Sequence, residues 1–265
     1  MLNHLHPAIE LLFSLIGIII IGSAFAIISN NAVDRITKNQ SMIYPGPYCP
    51  SCAVAFMWKD LIPIISYLIN RGKCPYCNSS IALRHFIVDV MGILWVSLFI
   101  IRFGWNYSAL LEMLFGMCLI AIIIIELENR VLSDSLLLFM GMLGSIYVLG
   151  FNQSAYPVAI VSMVVCTLVL IGYNLVKILT LKRTKFEITE IKLGAVLGIF
   201  LGFPYILLCV FLAWLIGAIW GSFNIKFFKK NIDQFFPRFP AFLAISGLII
   251  LLFGGNLINS YLNLI

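Results

Sequence analysis

Long runs of apolar residues, separated by short segments rich in charge, glycine and proline, extend along almost the whole chain. The runs cover residues 8–29, 86–101, 109–125, 136–151, 158–176, 193–223 and 241–264. The hydrocarbon core of a bilayer is about 30 Å thick and is crossed by roughly 20 apolar residues in a helix. The sixth run is too long for one span, and it contains Pro204, which removes a backbone donor and clashes with the preceding turn. Divided there, the pattern predicts about eight transmembrane helices.

The composition supports this interpretation and excludes a water-soluble domain. Of the 265 residues, 62% are hydrophobic and only 11% are charged, and the mean hydropathy is +1.06. The runs are too long and too uniformly apolar to be the strands of a membrane barrel. We therefore predict an all-α polytopic membrane protein. Because no basic segment precedes the first run, we expect a membrane helix there rather than a cleaved signal.

The basic residues collect in alternate connections between the runs. All of the 17 Lys and Arg residues except Arg102 fall within residues 30–85, 126–135, 177–192 or 224–240. The positive-inside rule assigns such connections to the cytoplasm, so we predict that both termini lie outside. This topology and anionic lipid explain the net charge of +6, and no nucleic-acid partner is expected.

Residues 30–85 form the only sizeable polar segment and contain two Cys-x-x-Cys motifs. The four cysteines are Cys49, Cys52, Cys74 and Cys77. Two thiolates in one turn can bind one metal ion, and two such turns complete the tetrahedral site of a zinc ribbon. A reducing cytoplasm disfavours two disulfides, while an unmetallated or redox pair stays an alternative. A site closed by four thiolates has no open coordination position, so we predict a structural zinc that folds the loop.

The segments together predict three parts of the chain. Residues 1–29 form a first transmembrane helix, residues 30–85 form a cytoplasmic four-cysteine loop, and residues 86–265 form a membrane-embedded core. In that core, Gly194, Gly198 and Gly202 recur every four residues. Small residues at this spacing permit a neighbouring helix to approach closely, so we expect this helix to pack inside the bundle.

Two groups of acidic residues lie at the predicted cytoplasmic ends of helices. One group is Glu126, Glu128 and Asp134, and the other is Glu187 and Glu190. Each residue taken singly is explained most simply as a solvated helix end. Carboxylates are costly in lipid, however, and two of them brought together from different helices can share a proton. One would then act as a base on a water and the other as an acid toward a carbonyl.

A specific series of segments surrounds the cysteine motifs. The first run is followed by Cys49-Pro50-Ser51-Cys52, then by Ile62-Pro63-Ile64-Ile65-Ser66-Tyr67-Leu68, then by Gly72-Lys73-Cys74-Pro75-Tyr76-Cys77, and then by helices. This series resembles the type IV prepilin leader peptidase family, whose members are bacterial prepilin peptidases and N-methyltransferases of the aspartic intramembrane protease type. Asp89 falls where that family usually has Glu.

The resemblance also gives two of the acidic residues a role. The family carries one catalytic Asp in an Ile-Asp-x-x-x-x-x-Leu-Pro-Asp stretch and the other in Gly-x-Gly-Asp-x-Lys-Leu. The matching segments here are residues 125–134 and 187–193, so Glu126 and Glu190 occupy the two catalytic positions. Each change from Asp to Glu keeps the acid and adds one methylene.

By this resemblance, the chain is expected to cleave the leader of type IV pilin or pseudopilin precursors at the cytoplasmic face of a bacterial inner membrane. Many members also methylate the new amino terminus, which implies S-adenosylmethionine as a cofactor besides zinc. The expected partners are these precursors and membrane lipid. One alternative is a catalytically degenerate relative that binds prepilins or a secretion assembly without cleaving. Another is a transporter or proton relay, which the four-cysteine loop and the lack of inverted repeats argue against.

Overall fold

The computed structural model describes residues 5–36, 46, 48–49, 51–57, 60, 64–128, 132–151, 153–181, 187–228 and 239–262. The helices in these residues are α1 (Leu5–Ile36), α2 (Ile65–Ile69), α3 (Leu83–Phe103), α4 (Tyr107–Glu128), α5 (Asp134–Phe151), α6 (Tyr156–Leu181), α7 (Ile188–Leu201), α8 (Tyr205–Phe228) and α9 (Phe239–Leu262). A short 3-10 helix, Gln153–Ala155, precedes α6. This part of the chain contains no strand, only two isolated bridges in the cysteine loop.

The helices coincide with the apolar runs of the sequence, and the predicted all-α membrane fold is confirmed. Five stretches are long and apolar enough to cross a bilayer, namely Leu83–Phe103, Tyr107–Glu128, Asp134–Phe151, Gln153–Leu179 and Tyr205–Phe223. The apolar helices Ile16–Asn30 and Phe239–Gly255 are shorter, and α7 has only 14 residues. The chain is therefore a multi-pass membrane protein, while the total of eight spans stays a prediction.

The sixth apolar run is interrupted at the place that its proline predicted. Helix α7 ends at Leu201, and α8 begins at Tyr205. Gly202 adopts a φ of 69° and a ψ of 177°, a backbone conformation that is strained for any residue except glycine. No atom lies within 4 Å of the position that a Cβ on Gly202 would take. Gly202 therefore ends α7, and its predicted role in helix packing was wrong.

The described helices belong to two compact units, Met1–Ala109 and Leu110–Ile265. In the first unit, α1 and α3 approach closely at Gly22, where a Cβ would lie 3.0 Å from Ile93 Cγ1 and 3.1 Å from Ile93 Cα. The Asn30 amide of α1 donates a hydrogen bond of 3.1 Å to Asp89 of α3. The boundaries at residues 29 and 85 that the sequence suggested stay predictions.

In the second unit, α7 packs closely against α6 and touches α4 through one pair of aromatic rings. A Cβ at Gly198 would lie 2.7 Å from Met163 Cα, and one at Gly194 would lie 3.1 Å from Cys166 Sγ. Toward α4, the ring of Phe200 stacks on Phe115 with 3.9 Å between the centroids. The close approach that the glycine repeat predicted is thus confirmed for Gly194 and Gly198.

Candidate active site and metal centre

Four cysteine side chains come together in the loop that follows α1. The Sγ atoms of Cys49, Cys52, Cys74 and Cys77 all lie within 4.8 Å of one another. Cys49 and Cys74 are buried, and none of the four is in a disulfide. The structure therefore brings together all four residues that the sequence predicted as metal ligands.

The two Cys-x-x-Cys motifs fold into equivalent turns. In each turn, the backbone N–H of the residue four positions after the first cysteine donates a hydrogen bond to the carbonyl of that cysteine. The backbone N–H of the same cysteine donates to the carbonyl of the residue five positions after it. These bonds measure 2.8 and 2.9 Å in the turn of Cys49 and 2.9 and 2.8 Å in the turn of Cys74. A φ of 57° at both Ala53 and Asn78 closes the turns. The same turn used twice brings two pairs of thiols to one point, as a tetrahedral metal site requires.

The environment of the thiols suits a metal-binding set. Burial opposes ionisation of Cys49, but hydrogen bonds from the backbone N–H groups of Cys52 and Ser51 and from the Ser79 hydroxyl outweigh it and lower the pKa of Cys49 to about 6. At Cys52, a backbone hydrogen bond from Val54 lowers the pKa, but burial and the other three thiols raise it to about 11. Hydrogen bonds from Ser79 also lower the pKa of Cys77. The neighbouring thiols thus disfavour ionisation of Cys52, and a divalent cation at the centre would remove that conflict. The donor set fits zinc.

Glu126 and Glu190 lie at the ends of two helices of the second unit. Glu126 is two residues before the end of α4, and Glu190 is in the first turn of α7. Their side chains are 2% and 0% exposed, whereas Glu128 is exposed. Solvation at a helix end therefore does not explain either of these two glutamates.

Contacts made by α9 relate the levels of the two glutamates. The backbone of Gly247 in α9 faces both helices, because a Cβ there would lie 3.0 Å from Leu119 Cδ1 and 3.2 Å from Leu197 Cδ2. Glu126 comes seven residues after Leu119, and Glu190 comes seven residues before Leu197. Seven residues are about two helical turns, or about 10 Å along the axis. Each glutamate therefore projects from nearly the same face as its leucine.

The Phe115–Phe200 stack gives the direction of the two helices. Phe115 comes before Leu119 in α4, and Phe200 comes after Leu197 in α7, so the two helices are antiparallel where they meet. On the side of the two leucines away from the phenylalanine stack, α4 reaches Glu126 and α7 reaches Glu190 after the same number of residues. The two buried carboxylates thus share one level of the bundle, as the hypothesis of a carboxylate pair requires.

Both oxygens of Glu190 are held by side chains of α6. The Asn174 amide donates to Oε2 over 3.1 Å, and the Lys177 ammonium donates to Oε1 over 3.2 Å. The same ammonium lies 3.4 Å from Glu187 Oε2. A buried carboxyl group needs hydrogen-bond partners, and in its ionised form it also needs a cation; α6 supplies both kinds of contact.

Comparison with known proteins shows to which family the chain belongs. Residues 6–103 match the Bacterial Peptidase A24 N-terminal domain. A prepilin leader peptidase/N-methyltransferase of Legionella pneumophila is 30% identical over 234 residues, which are 84% of this chain and 77% of that protein. The chain belongs to the prepilin leader peptidase/N-methyltransferase family.

Further members of the family show the same extent of similarity. The prepilin leader peptidase/N-methyltransferase of Stutzerimonas stutzeri is 30% identical over 84% of this chain and 76% of its own length. The one of Pseudomonas aeruginosa is 29% identical over 84% of this chain and 76% of its own length. No solved structure matches the chain. The family match at residues 6–103 includes the four cysteines, whereas Glu126 and Glu190 lie beyond it.

The other acidic residues in this member of the family have separate surroundings. Asp134, at the start of α5, accepts a hydrogen bond of 2.7 Å from Lys192, and both side chains are largely exposed. Glu112 of α4 accepts a hydrogen bond of 2.7 Å from the Tyr147 hydroxyl of α5. Within the described residues, the predicted acids that share a buried level are therefore Glu126 and Glu190.

Sequence reasoning missed Asn174 and Lys177. In the sequence, Lys177 is one of the basic residues that set the topology, and Asn174 is a polar residue within an apolar run. A signal existed, because the two residues lie three positions apart near the end of an apolar helix and so occupy one face. A polar pair on one face of such a helix indicates a buried partner on a neighbouring helix.

Proposed function

We propose that this chain cleaves the leader of type IV pilin or pseudopilin precursors, with Glu126 and Glu190 as the catalytic carboxylates. The observation that carries the proposal is the burial of both residues at one level of α4 and α7. Membership of the prepilin leader peptidase/N-methyltransferase family supports the same reaction class. The added methylene of each glutamate is accommodated, on this proposal, by the backbone around it.

The reaction needs one ionised and one protonated carboxyl group. The carboxylate removes a proton from a water, and the water oxygen bonds to the carbonyl carbon of the scissile peptide. The carboxylic acid gives its proton to the carbonyl oxygen. When the carbon–nitrogen bond breaks, the first group returns its proton to the leaving nitrogen and the second takes one from a hydroxyl of the intermediate. Both groups end as they began, and the substrate has gained one water.

The basic residues support a cytoplasmic position for the cleavage site. Lys177, near the end of α6, contacts Glu190, and Lys192 follows Glu190 by two residues at the start of α7. On the positive-inside rule these ends face the cytoplasm, as does the four-cysteine loop. The protein would then act in the bacterial inner membrane, where the apolar helix of a pilin precursor lies in lipid and its leader remains outside the bilayer.

The remaining parts of the proposed function concern the two cofactors. Zinc bound by Cys49, Cys52, Cys74 and Cys77 would fold the cysteine loop and take no part in peptide cleavage. The relatives are also named N-methyltransferases, so we propose that the new amino terminus is methylated from S-adenosylmethionine. Mass spectrometry of the cleaved product with and without this donor tests that step separately.

Cleavage of a purified prepilin by this protein in lipid or detergent tests the proposal. The variants are Glu126→Gln and Glu190→Gln, which keep the shape of the side chain and remove its acid. We expect the wild type to cut and either variant to lose activity by about a hundredfold or more. Glu128→Gln is the matched control, because Glu128 is in the same helical turn as Glu126 but is exposed; it should cut like the wild type.

The Glu126→Asp, Glu190→Asp double variant separates the proposal from its alternative. If neither the wild type nor this variant cuts although both are folded, or if only the aspartate variant cuts, the chain is a degenerate relative. Co-purification of uncut prepilin with the wild type would then support the binding alternative.

A further inference from the structure

The segments before and after the second Cys-x-x-Cys turn form the two arms of an antiparallel hairpin. The backbone N–H of Ile81 donates a hydrogen bond of 2.8 Å to the carbonyl of Gly72. Next to them, Lys73 pairs with Ser80 in an antiparallel bridge. Tyr76 lies in the tip of this hairpin. One arm therefore leads back from the cysteine cluster to α2, and the other leads to the start of α3.

Two further contacts hold α2 beside the first turns of α3. The rings of Tyr67 and Phe86 have their centroids 5.1 Å apart. The carboxyl group of Asp89 in α3 faces the backbone N–H of Ile64, the residue just before α2. Tyr67 comes three residues after Ile64, and Phe86 comes three residues before Asp89, so the two arms keep their antiparallel register. Helix α2 thus lies at the level of the first two turns of α3.

That level is the edge of the bilayer. Helix α3 has 21 residues, and at 1.5 Å per residue it is about 32 Å long, close to the thickness of a hydrocarbon core. Exposed apolar side chains recur along it at helical spacing, so one face of α3 is open to lipid from its first turn to its last. These residues are Leu83, Ile87, Leu94, Leu98 and Ile101. The first turns of α3, and α2 beside them, therefore lie where lipid head groups meet hydrocarbon.

The face of α2 that points away from α3 is apolar. Ile69 comes two residues after Tyr67, on the opposite side of the helix, and it is 74% exposed. Its neighbour Leu68 is 60% exposed. Large apolar side chains gain free energy when they leave water, and at this level hydrocarbon is the nearest apolar surrounding. The exposed face of α2 thus continues the lipid-facing surface of α3.

Two cations follow this apolar face directly. Arg71 and Lys73 are both exposed, and within the described ranges of the chain neither forms an ion pair with an acidic residue. Gly72, between them, is bonded to Ile81, two residues before α3 begins. The cations therefore lie just beyond the hydrocarbon edge, at the level of the head groups. Basic residues at this level are attracted to anionic lipid.

We propose that Leu68, Ile69, Arg71 and Lys73 form a membrane-docking surface that binds anionic lipid. The two apolar side chains enter the outer part of the hydrocarbon, and the two cations contact phosphate groups. The four-cysteine loop is then held against the bilayer and does not stand free in water. Continuity with the lipid-facing surface of α3, together with the two cations, favours lipid over another protein as the occupant of this surface.

Photochemical crosslinking identifies what covers the membrane-docking surface. In two separate variants of the full chain, Leu68 or Ile69 is replaced by p-benzoylphenylalanine, and the protein is placed in nanodiscs of equal parts phosphatidylcholine and phosphatidylglycerol. On irradiation the benzophenone carbonyl carbon bonds to a neighbouring C–H carbon, so the mass of the labelled peptide reveals its neighbour. We expect lipid adducts at both positions. Because both side chains are exposed, the label should not disturb packing.

Two further labelled positions serve as matched controls. Leu94 is in the exposed stripe of α3 and should give lipid adducts in any case. Tyr76 is 42% exposed but lies in the tip of the hairpin, so it should give few. If Leu94 gives lipid adducts whereas Leu68 and Ile69 give none, the proposal is wrong. Equal yields at Tyr76 and Ile69 would contradict the orientation of the hairpin on the bilayer.

The composition of the adducts tests the two cations. At Ile69, adducts of phosphatidylglycerol should exceed those of phosphatidylcholine by about three- to tenfold, because each cation near the surface favours anionic lipid. The double variant Arg71→Gln, Lys73→Gln should lose most of this enrichment and keep the adducts. Arg102→Gln, which removes a charge at the other end of α3, is the control and should keep the enrichment. Unchanged enrichment in the double variant would refute the binding of anionic lipid by these two residues.

The same experiment distinguishes lipid from the other possible occupants. Adducts with a second copy of the chain, in place of lipid, would identify the surface as an interface between copies and overturn the proposal. Adducts with prepilin, when prepilin is added, would identify a substrate-binding surface and overturn it as well. The measurement requires neither cleavage nor methylation, so its result does not depend on the proposed function.

Discussion

The backbone of Gly198 lies directly against the backbone of Met163, and a methyl group on the glycine would lie 2.7 Å from Met163 Cα. Real side-chain atoms do not approach a neighbouring backbone so closely, so any larger residue must push α7 away from α6. This contact is part of the register that brings Glu190 to Asn174 and Lys177. The stability of the bundle and the geometry of the candidate site therefore depend on the same glycine.

Replacement of Gly198 by alanine should destabilise the protein by about 1–3 kcal/mol, because the added methyl group overpacks the α6–α7 contact. Thermal unfolding in detergent, followed by circular dichroism, measures the effect. Gly172→Ala in α6 is the control, because no atom lies within 4 Å of the Cβ that this substitution adds. Equal melting temperatures for the two variants would show that the helices do not pack as described.

Purified protein should contain about one zinc ion per chain, and Cys49→Ser or Cys74→Ser should lose it, because each removes one of four thiolate ligands. Metal analysis of protein produced in medium containing zinc makes the measurement. Cys118→Ala, a cysteine of α4 outside the cluster, is the control and should keep the metal. Since protons compete with zinc for thiolates, the metal content should also fall as the pH is lowered. Retention of zinc by both serine variants would refute the four-cysteine site.

Replacement of Tyr147 by phenylalanine should destabilise the second unit by about 1–3 kcal/mol. The Tyr147 hydroxyl donates a hydrogen bond of 2.7 Å to Glu112, and its loss leaves a partly buried carboxyl group without that donor. The double variant Tyr147→Phe, Glu112→Leu removes both partners and should be less destabilised than the single variant. Denaturation of the wild type, the single variant and the double variant under identical conditions measures their order of stability. Equal stability of the single variant and the wild type would contradict the prediction.

Replacement of Asp134 by asparagine should change stability by less than about 1 kcal/mol, although its ion pair with Lys192 is only 2.7 Å long. The two side chains are 66% and 46% exposed, so water and salt screen their attraction. Melting temperatures of the variant and the wild type at low and high salt provide the test. A large loss of stability that disappears in high salt would mean that this pair contributes far more than an exposed ion pair does.

Much of the fold could be predicted from the order of apolar and polar residues. Lipid excludes unpaired backbone groups, so an apolar run of sufficient length must be helical whatever its neighbours are. The break in the sixth run was predictable for an equally local reason, because Pro204 cannot continue a helix. The four-cysteine cluster could also be predicted, because two thiols in one turn can bind a metal through local geometry. The motifs around the two glutamates identified them as a candidate catalytic pair.

The groups that surround each glutamate depend on how the helices pack. No local rule relates Glu190 to Asn174 and Lys177, because the contact requires α6 and α7 to pack antiparallel with Gly194 and Gly198 in register. In the same way, Glu126 and Glu190 share a level only because Leu119 and Leu197 meet the backbone of Gly247. Gly202 fits the same four-residue spacing but ends the helix instead, since packing depends on what lies opposite. Local sequence is therefore sufficient for the positions of the helices and of the cysteine cluster, whereas the depth and the partners of the carboxylates depend on contacts between helices that are distant along the chain.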